Sequence, residues 1–330
     1  MSTKQSYSGP SSQSPSFCRR LLPLLVCGVP LLCGDLPSSP FNRSGNTTDL
    51  TISTNVELVM LDVSVKDAKG GYVSGLAEEN FRVYENKKLQ PIKYFTHADI
   101  PVTVGLVVDN SGSMRSKRAE VITAALTLVR ASNPQDEVFV VNFNDKVHPG
   151  LTPHVLFTDD TEMLRVALWN GESAGRTALY DAMAYSLRHL DKGRMDKRTL
   201  VVVSDGGDNA SKLQWSEVMR RVEESRATIY TIGIFDANDP DRNPDVLRKL
   251  AQVSGGEYFQ LSELSDVAPA CRKIARDIRN RYTLAYTPAH IDSRQSERFI
   301  KVTASTPSRR RLIAHTRTRY IMPARVEDKR

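Results

Sequence analysis

The sequence predicts an α/β protein with a doubly wound, mostly parallel sheet flanked by helices, and a small β-sandwich-like domain made from the flanking segments. Four segments are continuously apolar, as strands buried on both faces of a parallel sheet are. Amphipathic helical patterns lie between them, and this alternation is typical of right-handed strand–helix–strand crossovers. Strand-like segments precede and follow this region, and each is too small to bury a core alone.

Residues 1–50 have the composition of a targeting segment followed by a linker. A polar stretch over 1–20 precedes the apolar residues 21–34, whose length suits the core of a signal peptide. Two prolines and the short length argue against a membrane-spanning helix. We therefore expect 1–34 to be a signal segment, or alternatively an uncleaved anchor, and 35–50 to be a linker. The predicted location is outside the cytoplasm: periplasmic, secreted or membrane-anchored, with the membrane involved only through such an anchor.

Two segments carry short strand patterns. Between Val59 and Val65 apolar residues alternate with Met60, Asp62 and Ser64, which is the period of a half-buried strand. We expect three to five strands in 51–98 and further strands at 282–288, 298–305 and 311–320. The predicted domain order is therefore a β-rich segment at 51–98, an inserted α/β domain at 99–280, a second β-rich segment at 281–322 that packs with the first, and a tail at 323–330.

The elements of the α/β domain follow from the apolar runs and the helical periodicity between them. The predicted strands are 102–108, 137–143, 199–204, 228–234 and 256–260. The predicted helices are 116–131, 178–190, 214–226, 244–254 and 262–279.

The composition is that of a folded protein, and the positive charge is concentrated near the C-terminal end of the sequence. Apolar residues make up 40% and charged residues 25% of the 330 residues, which is ordinary for a folded protein. The net charge of +7 lies in the last segment, because residues 281–330 carry 12 Lys and Arg against 4 Asp and Glu, and residues 1–280 sum to −1. This distribution does not favour nucleic-acid binding.

Three of the four cysteines lie within 1–34, so we expect Cys271 to be a packed thiol and no disulfide to form in the rest of the chain.

Oxygen-bearing side chains follow the predicted strands where each strand ends. Asp109, Ser111 and Ser113 follow the first strand of the α/β domain, Asp205 follows a later one, and Thr177 precedes a helix between them. Ligands of open parallel sheets bind at the carboxyl ends of the strands, so these side chains are expected at one edge. Two carboxylates and three hydroxyls suit Mg²⁺ or Mn²⁺, and Ca²⁺ less well. An alternative is that Ser113 and Thr177 cap the helices that follow them.

Catalytic patterns are missing from the sequence. The turn after the first strand of the α/β domain reads DNSGSM, which is neither a dinucleotide-binding glycine pattern nor a P-loop. The histidines are scattered, without a Ser–His–acid arrangement. We therefore predict that the protein is not an enzyme.

The same residues resemble a known family. A D-x-S-x-S motif after a buried strand, a threonine in GRTALYDA and an aspartate in SDGGDN are similar to the metal-ion-dependent adhesion site (MIDAS) of von Willebrand factor type A domains. Asp109, Ser111, Ser113, Thr177 and Asp205 match its five positions in order. The resemblance covers residues 100–280, and with the leader and flanks the chain resembles exported bacterial proteins of this type.

The resemblance implies a function. In such sites the two serines, and in some cases the threonine, bind the cation directly, the aspartates bind directly or through water, and an open position takes a Glu or Asp of a protein partner. We therefore predict a divalent-cation-dependent protein-binding module for adhesion or scaffolding. Met114 and Arg115 stand where a second metal site would need acidic residues, so one cation is expected.

Two alternatives to this function stay open. One is a Mg²⁺-dependent hydrolase or phosphoryl-transfer enzyme, for which Asp181 or Asp208 would have to act as general base. The other is a structural domain with an unused metal site. Without catalysis, Asp181 and Asp208 would cap helices, face solvent or support the metal ligands, and Arg176 would face solvent, screen the site or help bind an acidic ligand.

Overall fold

The fold combines a doubly wound α/β domain with a β-sandwich. The computed structural model describes residues 58–235, 241–288, 297–306 and 312–321, all within one unit that spans Thr54–Arg330. The predicted signal or anchor segment, the linker at 35–50 and the tail at 323–330 lie outside these residues. Within them, no helix has both the length and the apolar character needed to cross a membrane.

Strands precede and follow a central region in which strands and helices alternate along the chain. The strands are β1 (Val59–Lys66), β2 (Phe81–Glu85), β3 (Lys88–Gln90), β4 (Tyr94–Thr96), β5 (Val102–Asp109), β6 (Glu137–Phe143), β7 (Val147–Pro149), β8 (Lys197–Ser204), β9 (Thr228–Ile234), β10 (Tyr258–Leu261), β11 (Tyr282–Tyr286), β12 (Glu297–Ala304), β13 (Ile313–His315) and β14 (Arg319–Ile321). The helices are α1 (Arg118–Arg130), α2 (Thr161–Trp169), α3 (Leu179–Leu190), α4 (Trp215–Glu224), α5 (Pro244–Ser254) and α6 (Val267–Arg279).

The central sheet has the order β10-β9-β8-β5-β6-β7 and is parallel except for the edge strand β7. Strand β5 lies between β6 and β8, with Leu106 opposite Val140 on one side and Val201 on the other. All eight residues of β5 are buried, because helices cover both faces of the sheet. Helix α1 packs with α2 and α6, and α4 packs with α3 and α5. The predicted fold class is confirmed.

Strands from both flanking segments form the sandwich. One sheet has the order β13-β1-β11-β4 and the other β14-β12-β2-β3, so each sheet contains strands from before and after the α/β domain. Leu61 of β1 pairs with Leu284 of β11, and Val83 of β2 pairs with Val302 of β12. Neither segment forms a sheet alone, because the hydrogen-bonding partners of β1 and β2 include strands more than 200 residues further along the chain. The limits of the domains remain a prediction.

A buried ion pair lies where the sandwich meets the α/β domain. Arg281 follows α6 and donates to Asp277 Oδ2 at 2.8 Å and to the carbonyl oxygens of Gly255 and Asp62. Asp277 also accepts hydrogen bonds from the hydroxyls of Ser64 and Tyr230. Ser64 and Asp62 belong to β1, so this network fixes the first sandwich strand against α6 and β9.

Some predicted elements have different ends. The helix expected over 116–131 begins at Arg118, because Gly112–Lys117 form a 3₁₀ turn. The helix expected over 262–279 begins at Val267 for the same reason, after a 3₁₀ turn at Leu264–Asp266. The strand expected over 311–320 is two short strands, β13 and β14, which pair with different sheets.

The sequence prediction missed helix α2 but described Cys271 correctly. Asp160 caps α2 by accepting hydrogen bonds from the backbone N–H groups of Glu162 and Met163, and this signal was available in the sequence. Cys271 is a free, buried thiol on α6. Burial raises its pKa to about 12, so it is unreactive near neutral pH.

Candidate metal centre

Asp109 and Asp205 lie at the carboxyl ends of two neighbouring strands. Asp109 is the last residue of β5, and Asp205 directly follows Ser204, the last residue of β8. Because β5 and β8 are adjacent and parallel, both aspartates lie at the same edge of the sheet. The hydroxyl of Ser204 donates to Asp109 Oδ2 at 2.6 Å and thereby joins the two strand ends.

The loop after β5 carries two serines toward Asp205. The backbone N–H of Ser111 donates to Asp109 Oδ1 at 2.8 Å, which turns the chain at the end of the strand. Ser111 Oγ lies 3.2 Å from Ser113 Oγ, and Ser113 Oγ donates to Asp205 Oδ2 at 2.6 Å. Three of the five candidate ligands are therefore joined by hydrogen bonds between their side chains.

Thr177 lies in a third loop that contacts the other two. The N–H of Gly112 donates to the carbonyl oxygen of Gly175 at 3.1 Å, which joins this loop to the one after β5. Asn209 holds Thr177 from the other side: its Oδ1 accepts from Thr177 N at 2.9 Å, and its own N–H donates to Thr177 O at 3.0 Å. Each pair among the three loops is thus connected by hydrogen bonds.

A glycine shapes the loop after β8. Gly206 has a φ of +78°, and a Cβ atom there would lie 2.2 Å from the carbonyl oxygen of Asn243. A side chain at this position would strain the backbone and collide with a neighbouring main chain. The glycine therefore lets the chain turn directly after Asp205.

The site is buried, and its carboxylates repel one another. Asp109, Ser111 and Asp205 are each 2% exposed and Thr177 is 6% exposed, whereas Ser113 is half-buried. Burial and, to a smaller extent, the nearby charge of Asp205 raise the pKa of Asp109 to about 7, although hydrogen bonds from Ser204 and Ser111 act to lower it. Two desolvated carboxylates of like sign are costly unless positive charge compensates them.

The capping alternative does not match the contacts. Lys117, and not Ser113, occupies the N-cap position of α1. Ala178, and not Thr177, occupies the N-cap position of α3. The first turn of α3 is satisfied from elsewhere: Asp208 Oδ2 accepts from Tyr180 N at 2.8 Å, and Ser211 Oγ accepts from Asp181 N at 3.0 Å.

The two other aspartates near the site hold loops together. Asp208 binds the start of α3, and Asp181 accepts hydrogen bonds from the N–H groups of Lys212 and Leu213, each at 3.0 Å. Their carboxylates are thus engaged by backbone donors, which does not favour either as a general base. Arg176 pairs with Asp145 at 3.2 Å, and its side chain is 67% exposed.

The part of the chain that contains the five candidate ligands matches the model of a known protein family. The model of the von Willebrand factor type A domain matches residues 103–271, just over half of the chain. The chain belongs to the von Willebrand factor type A family. Domains of this family are generally adhesion or protein-interaction modules.

Several solved structures are similar to this chain. A von Willebrand factor type A protein from Catenulispora acidiphila is 14% identical, with 83% of this chain and 76% of that one covered and a TM-score of 0.49. The vWF domain of a type V pilus tip protein from Porphyromonas gingivalis is 14% identical, with 55% and 96% covered and a TM-score of 0.43. Proximal thread matrix protein 1 of the mussel byssus, solved with a zinc-occupied MIDAS motif, is 14% identical, with 56% and 49% covered and a TM-score of 0.46. Likenesses at this level say nothing about function. A comparison with curated proteins gave no match.

The donor set of this von Willebrand factor type A domain fits a hard divalent cation. Carboxylate and hydroxyl oxygens are the ligands that Mg²⁺ and Mn²⁺ accept. The described residues contain no group of three or more His, Cys, Asp or Glu side chains able to hold a metal. A cation at this edge would therefore have to use the hydroxyls of Ser111, Ser113 and Thr177 together with the two aspartates.

Sequence reasoning missed two residues of the site. Ser204 holds Asp109, and it also accepts a hydrogen bond from the N–H of Gly206 at 3.0 Å. Asn209 holds the main chain of Thr177. Both lie in the stretch SDGGDN, so their closeness to Asp205 in the sequence was the available signal. Met114, which stands where a second metal site would need an acidic residue, is 1% exposed and packs in the apolar core.

Proposed function

We propose that this domain binds one divalent cation, Mg²⁺ or Mn²⁺, and uses it to bind a carboxylate of a protein partner. Asp109, Ser111, Ser113, Thr177 and Asp205 would hold the ion. The observation that carries the proposal is that two buried carboxylates lie at neighbouring strand ends and that the hydroxyl of the partly exposed Ser113 donates to one of them, Asp205. A cation there would supply the positive charge that the two carboxylates lack.

The chemistry of the donors supports a carboxylate as the partner's ligand. Only the two aspartates carry negative charge, and the three hydroxyls are neutral, so a divalent ion held by them keeps affinity for further anionic oxygen. The partly exposed side of the site, at Ser113, is where an external Glu or Asp would approach. The remaining residues orient the ligands: Ser204 fixes Asp109, and Asn209 fixes the loop of Thr177.

We further propose that binding occurs outside the cytoplasm, because residues 1–34 have the pattern of a signal or anchor segment. The β-sandwich, built from 51–98 and 281–322, would hold the inserted domain at 99–280.

Peptide binding tests the proposal directly. The metal-free protein would be passed over immobilised peptides that each carry a single Glu or Asp, with matched Gln and Asn peptides, in Mg²⁺ or in EDTA. We expect retention only on the acidic peptides and only with Mg²⁺. A matched variant, Asp159→Asn, removes an exposed carboxylate outside the site and should bind like the parent, whereas Asp205→Asn should not bind. Mg²⁺ binding without selective retention would overturn the carboxylate partner, and no Mg²⁺ binding would overturn the whole proposal.

A further inference from the structure

A second polar surface lies at the opposite end of the central sheet from the metal centre. It is an open groove of about 310 Å³ between the C-terminal ends of α3 and α4. Arg198, next to the first residue of β8, also lines it, whereas the metal centre lies beyond the last residue of that strand. We call it the arginine groove, because its charged lining consists of Arg188, Arg198, Arg221 and Arg226 with Asp191 and Glu224.

The acidic residues of the groove already have partners. Asp191 pairs with Arg198 at 2.9 Å, and Glu224 pairs at 2.6 Å with Arg220, which does not line the groove. Arg221 pairs with Glu217 at 2.7 Å, yet its Nε is buried without a hydrogen-bond partner among the described residues. Four guanidinium groups against two carboxylates leave a net charge of +2 in the lining.

Two guanidinium groups are not used by the fold. Arg188 and Arg226 are both exposed, and within the described parts of the chain neither has a hydrogen-bond or ion-pair partner. Arginines near helix C-termini ordinarily gain stability by donating to the last carbonyl oxygens. Arg188 lies in the last turn of α3 and makes no such bond, so capping does not explain its position beside the other three arginines.

We propose that the arginine groove binds a phosphate group. Guanidinium forks match pairs of phosphate oxygens, and several forks around one open groove can hold a tetrahedral oxyanion from more than one side. A phosphate monoester carries a charge of about −1.5 to −2 near neutral pH, which balances the lining. Binding needs no metal ion and is independent of the metal centre. The phosphate is either free or carried on a larger molecule.

The test uses the full chain in EDTA, so that no cation can bridge phosphate to the metal centre. Isothermal titration at low ionic strength would measure the Kd of inorganic phosphate, as free phosphate, and of glycerol 3-phosphate, as a carried phosphate group. The variant Arg188→Gln/Arg226→Gln removes the two unpartnered cations. The control Arg130→Gln/Arg272→Gln removes two exposed arginines of α1 and α6 and changes the net charge by the same amount.

We expect at least one of the two probes to bind the parent protein. We also expect its Kd to rise roughly tenfold or more in the groove variant and to stay near the parent value in the control. Binding of inorganic phosphate alone identifies free phosphate as the ligand, and binding of glycerol 3-phosphate identifies a carried group. An equal rise of Kd in both variants would show a general charge effect and overturn the proposal, as would the absence of binding by either probe. Thermal unfolding of each variant checks that it is folded.

Discussion

The hydroxyl of Ser113 lies 2.6 Å from a carboxylate oxygen of Asp205, although 92 positions separate the two residues in the sequence. This bond joins the loop after β5 to the loop after β8, and the bond from Ser204 to Asp109 joins the same two strand ends. The candidate ligands are therefore held close together by the folded chain itself. Binding of a cation there therefore costs less conformational entropy than binding to ligands that are not yet assembled.

Mg²⁺ should stabilise the folded protein. A ligand that binds only the folded state raises the free energy of unfolding by about 2.7 kcal/mol when its free concentration is a hundred times its Kd. Thermal unfolding in EDTA and in increasing Mg²⁺ would measure this rise. Asp205→Asn should remove it, and the exposed Asp159→Asn should retain it. A rise that persists in Asp205→Asn would place the bound cation elsewhere.

Ser204→Ala should destabilise the protein although Ser204 is not a proposed ligand. The change removes the donor to the buried Asp109 carboxylate and the acceptor of the Gly206 N–H. Leaving such groups without partners costs about 1–3 kcal/mol of unfolding free energy. Denaturant unfolding in EDTA would measure the loss.

Ser186→Ala is the matched control for Ser204→Ala. Ser186 is also fully buried, but its hydroxyl has no partner among the described residues. Removing it should leave the unfolding free energy unchanged or higher. Equal losses in both variants would contradict a role for the Ser204 hydroxyl in holding Asp109.

Arg281→Met should destabilise the junction between the sandwich and the α/β domain by about 3–5 kcal/mol, because it leaves Asp277 charged and buried without its partner. Arg165→Met breaks an exposed pair with Glu162 and should cost less than about 1 kcal/mol. Denaturant unfolding at neutral pH would compare the two.

The loss in Arg281→Met should shrink in acid. Burial acts to raise the pKa of Asp277, but Arg281 and the hydroxyls of Ser64 and Tyr230 outweigh it and hold that pKa below the usual value. A lowered folded pKa contributes stability that is complete above the unfolded pKa of about 4 and is lost as pH falls through the folded value. An unfolding difference that stays constant from pH 7 down to pH 3 would argue against this pair.

His189 should make the protein less stable below about pH 6.5. Its ring packs 4.4 Å from that of Phe139, and burial lowers its pKa. The unfolded chain therefore takes up a proton at a higher pH than the folded chain, and stability falls as pH decreases through the unfolded value. Unfolding free energies at pH 7.5 and 5.5 should differ less in His189→Phe than in the parent. His148→Phe, at an exposed position on β7, should behave like the parent.

The sequence by itself determined the central sheet and the order of the candidate ligands. Every residue of β5 and of β6 is buried, and such strands appear in a sequence as mostly apolar runs without the alternation of a half-buried strand. Asp109 was predicted to follow the strand over 102–108 because the apolar run ends at Val108, and the structure extends β5 by one residue to include it. The period-two pattern around Leu61 likewise predicted β1.

Only the tertiary structure decided which groups satisfy those ligands and where the remaining charges gather. The bonds from Ser204 to Asp109 and from Thr177 N to Asn209 join residues 95 and 32 positions apart. The arginine groove, likewise, brings together residues from α3, β8 and α4. No local pattern encodes such contacts, because hydropathy and helical period report only whether a residue is buried and on which face. Which polar groups meet is set by how strands and helices distant in the chain pack.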